Sequence, residues 1–191
     1  MTKQISILGT IGVPAAYGGF ETLADNLVVY ADQQSLPINL SVYCSGQPGL
    51  EQYKSAELRH INIGANGVSS IFYDIVSLVS AIKRKDQLIL LLGVSGALVL
   101  PLIRLISNVH IITNVDGIEW KRDKWSPLAK LFLRVSEYFA VKFSHRVIAD
   151  NQGIAEHVTQ SYGKECHVIA YGGDHAIDVE PKSVDVELPE K

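Results

Sequence analysis

Three features of the sequence predict a doubly wound, mostly parallel, Rossmann-like α/β sheet with helices on both faces. Short apolar runs alternate with segments of helical spacing, as in consecutive βαβ units. Several runs are apolar on both faces, notably Leu88-Ile89-Leu90-Leu91-Leu92, as expected of strands covered from both sides. A glycine-dense loop also joins the first run to the first helical segment, where such folds present backbone N–H groups to ligands.

In order, the pattern predicts strands at 4–8, 39–43, 58–63, 87–92, 110–113, 146–149 and 167–170. Helices are predicted at 20–33, 68–85, 96–106, 127–143 and 153–161. Ser126-Pro127 has the N-cap hydroxyl and first-turn proline of a helix start, and Gly163 is placed to end the last helix. The polar stretch 47–57 reads as a loop. The uncharged stretch 88–103 is just short of the ~18–20 residues of a membrane span, and Gly93, Gly96 and Pro101 interrupt it. It reads as a buried strand, a turn and a buried helix. Residues 1–176 are expected to form one domain, and the acidic stretch 177–191, with Pro181 and Pro189, a linker or tail.

The composition bounds the function. A chain of 191 residues, 47% hydrophobic and 19% charged, can bury a substantial core. A net charge of −3 argues against nucleic acid bound through bulk charge. Cys44 and Cys166 sit at strand-like positions and form no CxxC pair, and the six histidines lack metal-ligand spacing. No signal peptide is recognisable before the first strand.

Two loops at strand carboxyl ends are chemically dense. The first is Gly9-Thr10-Ile11-Gly12-Val13-Pro14-Ala15-Ala16-Tyr17-Gly18-Gly19-Phe20-Glu21-Thr22. It lacks the G-x-G-x-x-G spacing, and the second strand ends Tyr43-Cys44-Ser45 without the acid that holds a ribose hydroxyl. A nicotinamide-dependent oxidoreductase or epimerase is therefore disfavoured, and no P-loop supports ATP or GTP hydrolysis. The second loop is Asn114-Val115-Asp116-Gly117-Ile118-Glu119-Trp120-Lys121-Arg122. An Asp-Gly pair alone is a common turn. Here an acid, an aromatic ring and two bases follow it. In this setting a carboxylate can accept a proton or bind sugar hydroxyls, an indole can stack on a sugar, and a base can pair with phosphate.

These two runs, with Val168-Ile169-Ala170-Tyr171-Gly172-Gly173-Asp174, closely resemble the N-terminal half of bacterial GT-B glycosyltransferases of the family-4 type. The nearest group is the rhamnosyltransferase-like one that opens with GxPAxYGGFET, and the resemblance covers about residues 3–176. It implies an acceptor-binding domain facing a nucleotide-sugar-binding domain across a cleft, with retaining sugar transfer and neither cofactor nor metal. Such an enzyme needs roughly twice this length at typical domain sizes. The chain is therefore expected to be the N-terminal half, inactive alone.

Position by position, the resemblance implies that Gly12, Pro14, Tyr17, Gly18 and Gly19 face the donor diphosphate and acceptor, with Glu21 and Thr22 behind them. Asp116 is the implied acceptor contact and candidate catalytic base, with Glu119, Trp120, Lys121 and Arg122 on the same rim. Tyr171 and Gly172 mark the crossing toward the donor domain. The implied partners are a saccharide or lipid-linked saccharide acceptor and a sugar-nucleotide donor. The implied location is the cytoplasm, with peripheral contact at the inner face of the plasma membrane. A stand-alone sugar- or lipid-binding module paired with a separate donor domain is the alternative. The segment 127–143 reads either as a basic amphipathic helix resting on anionic lipid or as a core-facing helix with solvated lysines, and its wide apolar face favours the second. The basic rim before it is the candidate for lipid-diphosphate contact.

Overall fold

The structure is a computed structural model that describes residues 2–16, 18–123 and 125–172. Tyr17, Lys124, His175 and the expected tail at 177–191 lie outside the described residues.

The strands are β1 (Lys3–Leu8), β2 (Ile38–Ser45), β3 (Gln52–Tyr53), β4 (Ala56–Ile61), β5 (Leu88–Leu92), β6 (His110–Val115), β7 (Arg146–Ala149) and β8 (His167–Val168). The helices are α1 (Gly19–Gln33), α2 (Ser69–Lys83), α3 (Leu100–Ile106), α4 (Pro127–Phe143) and α5 (Gln152–Tyr162), with 3-10 turns at Ala97–Val99 and Glu119–Lys121. The sheet order is β3-β4-β2-β1-β5-β6-β7-β8, parallel except for the β3–β4 hairpin. Polarity of sequence hid that hairpin: Gln52 and Tyr53 pair with Glu57 and Ala56 inside the stretch expected as loop. The chain winds outward from β1 in one direction and from β5 in the other, so the topological switch lies between them. Ligands of open α/β sheets bind outside the strand ends at this point.

Both faces are covered, unequally. Residues Ala24, Val28 and Ala31 of α1 pack with Ile7, Leu40 and Val42 on one face. On the other, Leu78 and Ala81 of α2, Leu100 and Ile103 of α3, Ala140 and Val141 of α4, and Val158 of α5 pack with Leu8, Ile89, Leu91, Ile111 and Val147. The division follows the period-two alternation of each strand. The uncharged run resolves into β5, a turn and α3, and among the described residues no helix is long and apolar enough to cross a membrane.

Local chemistry sets the helix ends. The Ser126 hydroxyl accepts the Ala129 N–H at 3.3 Å ahead of Pro127, and Asn151 caps α5 by accepting from Ile154 at 3.0 Å. Gly163 closes α5 in the left-handed region at φ 65°. Cys44 and Cys166 are free thiols.

The tie that positions the first loop comes from α2. The fully buried Tyr73 hydroxyl lies 2.9 Å from the Thr10 carbonyl and 2.8 Å from the Tyr43 carbonyl, sharing its proton between them. It thereby joins the loop after β1 to the end of β2. Burial raises its pKa, so the phenol stays protonated and donates. Tyr73→Phe leaves both carbonyls short of a donor and should cost about 1–3 kcal/mol in urea unfolding; an unchanged midpoint would show that the tie is dispensable.

Candidate functional site

The loop after β1 reaches the site by a very close backbone approach. Gly9 has φ +89°, and a Cβ built there would stand 1.9 Å from the Leu92 carbonyl oxygen at the end of β5. Gly18, at φ +110°, then turns the chain into α1, whose first turn carries no side-chain cap. The Thr22 hydroxyl donates to the Gly18 carbonyl at 3.0 Å.

On the other side of the switch point, Val115 of β6 pairs in register with Ala149 of β7. The next residue of each strand is an aspartate, so Asp116 and Asp150 emerge side by side. Together with Gly18, Gly19, Phe20, Glu21 and Tyr171 they line a hollow of about 300 Å³ over Gly9–Ile11. Asp150 is a site residue that the sequence reading did not single out; its signal was the acid directly after a strand, repeated in neighbouring strands. Tyr171 sits against Gly19, and its hydroxyl accepts the Asn114 amide N–H at 3.0 Å. Burial pushes its pKa up to about 12.

Asp116 also lines a second space, an apolar groove of about 650 Å³ between the N-terminal ends of α2 and α4. Phe20, Val68, Ile71, Leu128, Phe132 and Trp125 are among its walls. Asp116 thus stands where a polar hollow meets an apolar groove. Part of its surface is in solvent, yet protein crowds its carboxyl enough that lost hydration leads the causes pushing its pKa up to about 6. Its own backbone N–H and Arg122 oppose the shift, while Glu119 and Asp150 add to it.

The rim after Asp116 divides. Glu119 lines the groove, accepts from the Trp125 indole at 3.1 Å and pairs with Arg122. Trp120 lies elsewhere. Its indole donates to Glu137 of α4 at 3.1 Å, with the Arg134 guanidinium 5.2 Å and Lys121 5.4 Å from its ring, so it lines neither space and is not placed to stack on a sugar there. Glu137 is 1% exposed and also bonds His157 at 2.8 Å and the Tyr162 hydroxyl. Lys121 and Arg122 point outward without lining either space. Gly12 packs against Cys44 and Pro14 is exposed after a cis Val13–Pro14 bond, both outside the two spaces. Thr22 and Gly172 line a smaller neighbouring hollow with Tyr171. Trp125, five residues beyond the ring expected from the sequence, lines the groove together with Phe20 and Phe132.

A second carboxyl, Asp74, faces the groove from α2, receiving hydrogen bonds from the Ser95 hydroxyl and the Gly96 N–H. Among the described residues no group of three His, Cys, Asp or Glu side chains is arranged to hold a metal ion.

The chain belongs to the DUF1972 family, a domain of unknown function, whose model matches residues 2–174. No curated protein sequence matches it. Among solved structures, sucrose-phosphate synthase from Thermosynechococcus elongatus is similar in fold, with a TM-score of 0.67 at 12% identity, over 89% of this chain and 48% of that one. The chain thus spans about half the length of that protein. A second sucrose-phosphate synthase chain from the same organism gives a TM-score of 0.57 at 11% identity, covering 92% of this chain and 93% of that one. The common architecture is a Rossmann-like, mostly parallel α/β domain.

Asp74 provides a pH test. It is 3% exposed, and burial pushes its pKa from 3.8 up to about 6 against the opposing pull of Ser95 and Gly96. A carboxyl whose pKa rises on folding holds its proton more tightly in the native state. The native state therefore loses stability as pH rises through the interval between these two values. Asp74→Asn abolishes that slope. Its Tm should climb relative to the parent's from about pH 4 to about pH 7, by the equivalent of up to about 3 kcal/mol. A Tm difference independent of pH in thermal melts would contradict the assignment.

Proposed function

We propose that this chain is the acceptor-side domain of a retaining nucleotide-sugar glycosyltransferase. The transferred group is proposed to be rhamnosyl, and the acceptor a saccharide or lipid-linked saccharide of a surface polysaccharide. The observation that carries this reading is the convergence of the uncapped α1 N-terminus, Asp116 and Asp150 on one hollow at the switch point, next to an apolar groove. The resemblance of the Gly9–Thr22 and Asp116–Arg122 runs to rhamnosyltransferase-like enzymes supports the sugar class, and the fold likeness to a sucrose-phosphate synthase supports the architecture.

In the proposed reaction an acceptor hydroxyl attacks the anomeric carbon of the donor. The bond from that carbon to the diphosphate oxygen breaks, and the nucleoside diphosphate leaves. The hydroxyl proton passes to the departing phosphate or to Asp116. An aspartate held at a pKa of about 6 is ionised at neutral pH and is a stronger base than an ordinary aspartate. The N–H groups of the first turn of α1 favour a diphosphate at their end of the hollow. The donor is held mainly by a second domain, and no cofactor takes part. The apolar groove favours a second reading, a binding module for amphiphilic saccharides that works with a separate donor domain.

In the intact two-domain enzyme, Asp116→Ala should lower kcat/KM by about 100-fold or more with the fold retained. Parent activity should fall below about pH 6, and Asp116→Asn should flatten that arm. Near-normal turnover in a transfer assay across a panel of sugar nucleotides would remove Asp116 from the mechanism. Calorimetry on the 191-residue chain should detect no tight donor binding; micromolar affinity for a sugar nucleotide would overturn the acceptor-side assignment.

A further inference from the structure

Helix α4 borders two grooves of opposite character. The one that reaches Asp116 is lined by the acids Asp74, Asp116 and Glu119 and, among the described residues, by no base. The other, about 690 Å³, lies between α4 and the end of α5. It is lined by the bases Arg134, Lys142 and Lys164 and, among the described residues, by no carboxylate. Its volume is that of a small-molecule site, and it shares no lining residue with the hollow at the switch point or with the groove at Asp116.

Helical period builds one wall of this second groove. Leu131, Arg134, Val135, Tyr138 and Lys142 follow one another at three- and four-residue steps, so a single stripe of α4 faces it. The expectation for 127–143 is one apolar face turned to the core. Burial falls instead on Ser136, Glu137, Ala140 and Val141, and Leu131, Val135 and Tyr138 stay 59%, 37% and 45% exposed. The facing wall is the last turn of α5, where the Tyr162 ring stands 6.1 Å from that of Tyr138 and its hydroxyl is anchored on Glu137. Lys164 follows, held by donating to the Ser144 carbonyl at 2.6 Å. Burial and the charges of Lys142, Arg104 and Arg146 push its pKa down. Bases near the end of a helix complement its dipole. That accounts for Lys142 and Lys164, but not for Arg134 or for the apolar wall beside them.

We propose that the α4–α5 groove binds a soluble organic phosphate with an aromatic body. Lys142 and Lys164 take the phosphate through charge-assisted hydrogen bonds, and Arg134 adds to the positive field. The body lies along Leu131 and Val135 and against the Tyr138 ring. A bound dianion relieves the mutual repulsion of the bases around Lys164, which no carboxylate of the groove offsets. The site rests on this groove alone and does not depend on the glycosyl-transfer reading.

The test is an NMR titration of the 191-residue chain with 1-naphthyl phosphate, without sugar nucleotide, so its outcome is separate from those of the transfer and donor-binding assays. Saturable shifts should centre on the α4 stripe and on Ser161–Lys164, with a Kd below about 1 mM. 1-Naphthol, which lacks the phosphate, should bind at least about tenfold more weakly, and raised salt should weaken binding of the phosphate alone. Lys142→Glu, at an exposed position, should keep its circular dichroism and lose about tenfold in affinity for the phosphate. Lys83→Glu makes the same change of charge on α2 and should bind as the parent does. Tyr138→Ala should lose about fivefold. No saturable shift up to about 5 mM ligand, shifts centred elsewhere, equal affinity for 1-naphthol, or parent-like binding by Lys142→Glu would overturn the proposal. Equal losses in Lys142→Glu and Lys83→Glu would also overturn it, by reducing the effect to net charge.

Discussion

The site depends on one backbone contact. Where β1 ends, the chain passes so close to the Leu92 carbonyl that position 9 has no room for any side-chain atom. That contact lets the loop lie over the switch point instead of arching away from it, and the Tyr73 hydroxyl then holds the loop from the side through Thr10. With the loop pinned at both places, Gly18 and Gly19 meet the aspartates that follow β6 and β7. The rest of the sheet serves as a rigid mount.

Carboxyls do two different jobs around this mount. Glu137 is surrounded by donors from Trp120, His157 and Tyr162, and so joins the turn after β6 to α4 and α5. A buried acid with several donors is a structural fastener. Asp116, exposed at the edge of both spaces, and the buried Asp74 instead border open space with fewer partners, and lost hydration of the carboxyl raises the pKa of both. Such shifts mark groups whose environment resists their charge, the common condition of carboxyls that handle protons or hydroxyls.

The alternation of apolar runs was enough to read the parallel strands and five helices, because two-sided burial favours continuous apolar strands such as Leu88–Leu92, here cut short by Gly93 and Gly96. The end positions of α4 were legible from Ser126 and Pro127. What escaped the sequence was direction. Trp120 and Trp125 are five residues apart in one loop, and only the 3-10 turn at Glu119–Lys121 decides that the first faces α4 and the second the groove. Asp150 was overlooked because strand register, which places it beside Asp116, is a property of pairing and not of local sequence. Asp74 lies in the middle of a helix, where nothing local reports that its side chain looks into a groove.

Tyr171 lies against two of the site's own walls, its ring beside Gly19 and its hydroxyl accepting the Asn114 amide N–H. Two residues earlier, the Ile169 N–H donates to the Ala149 carbonyl at the end of β7. The stretch that carries Tyr171 is thus tied to α1, β6 and β7 together, and its ring is a wall common to the hollow over Gly9–Ile11 and the smaller one beside Thr22.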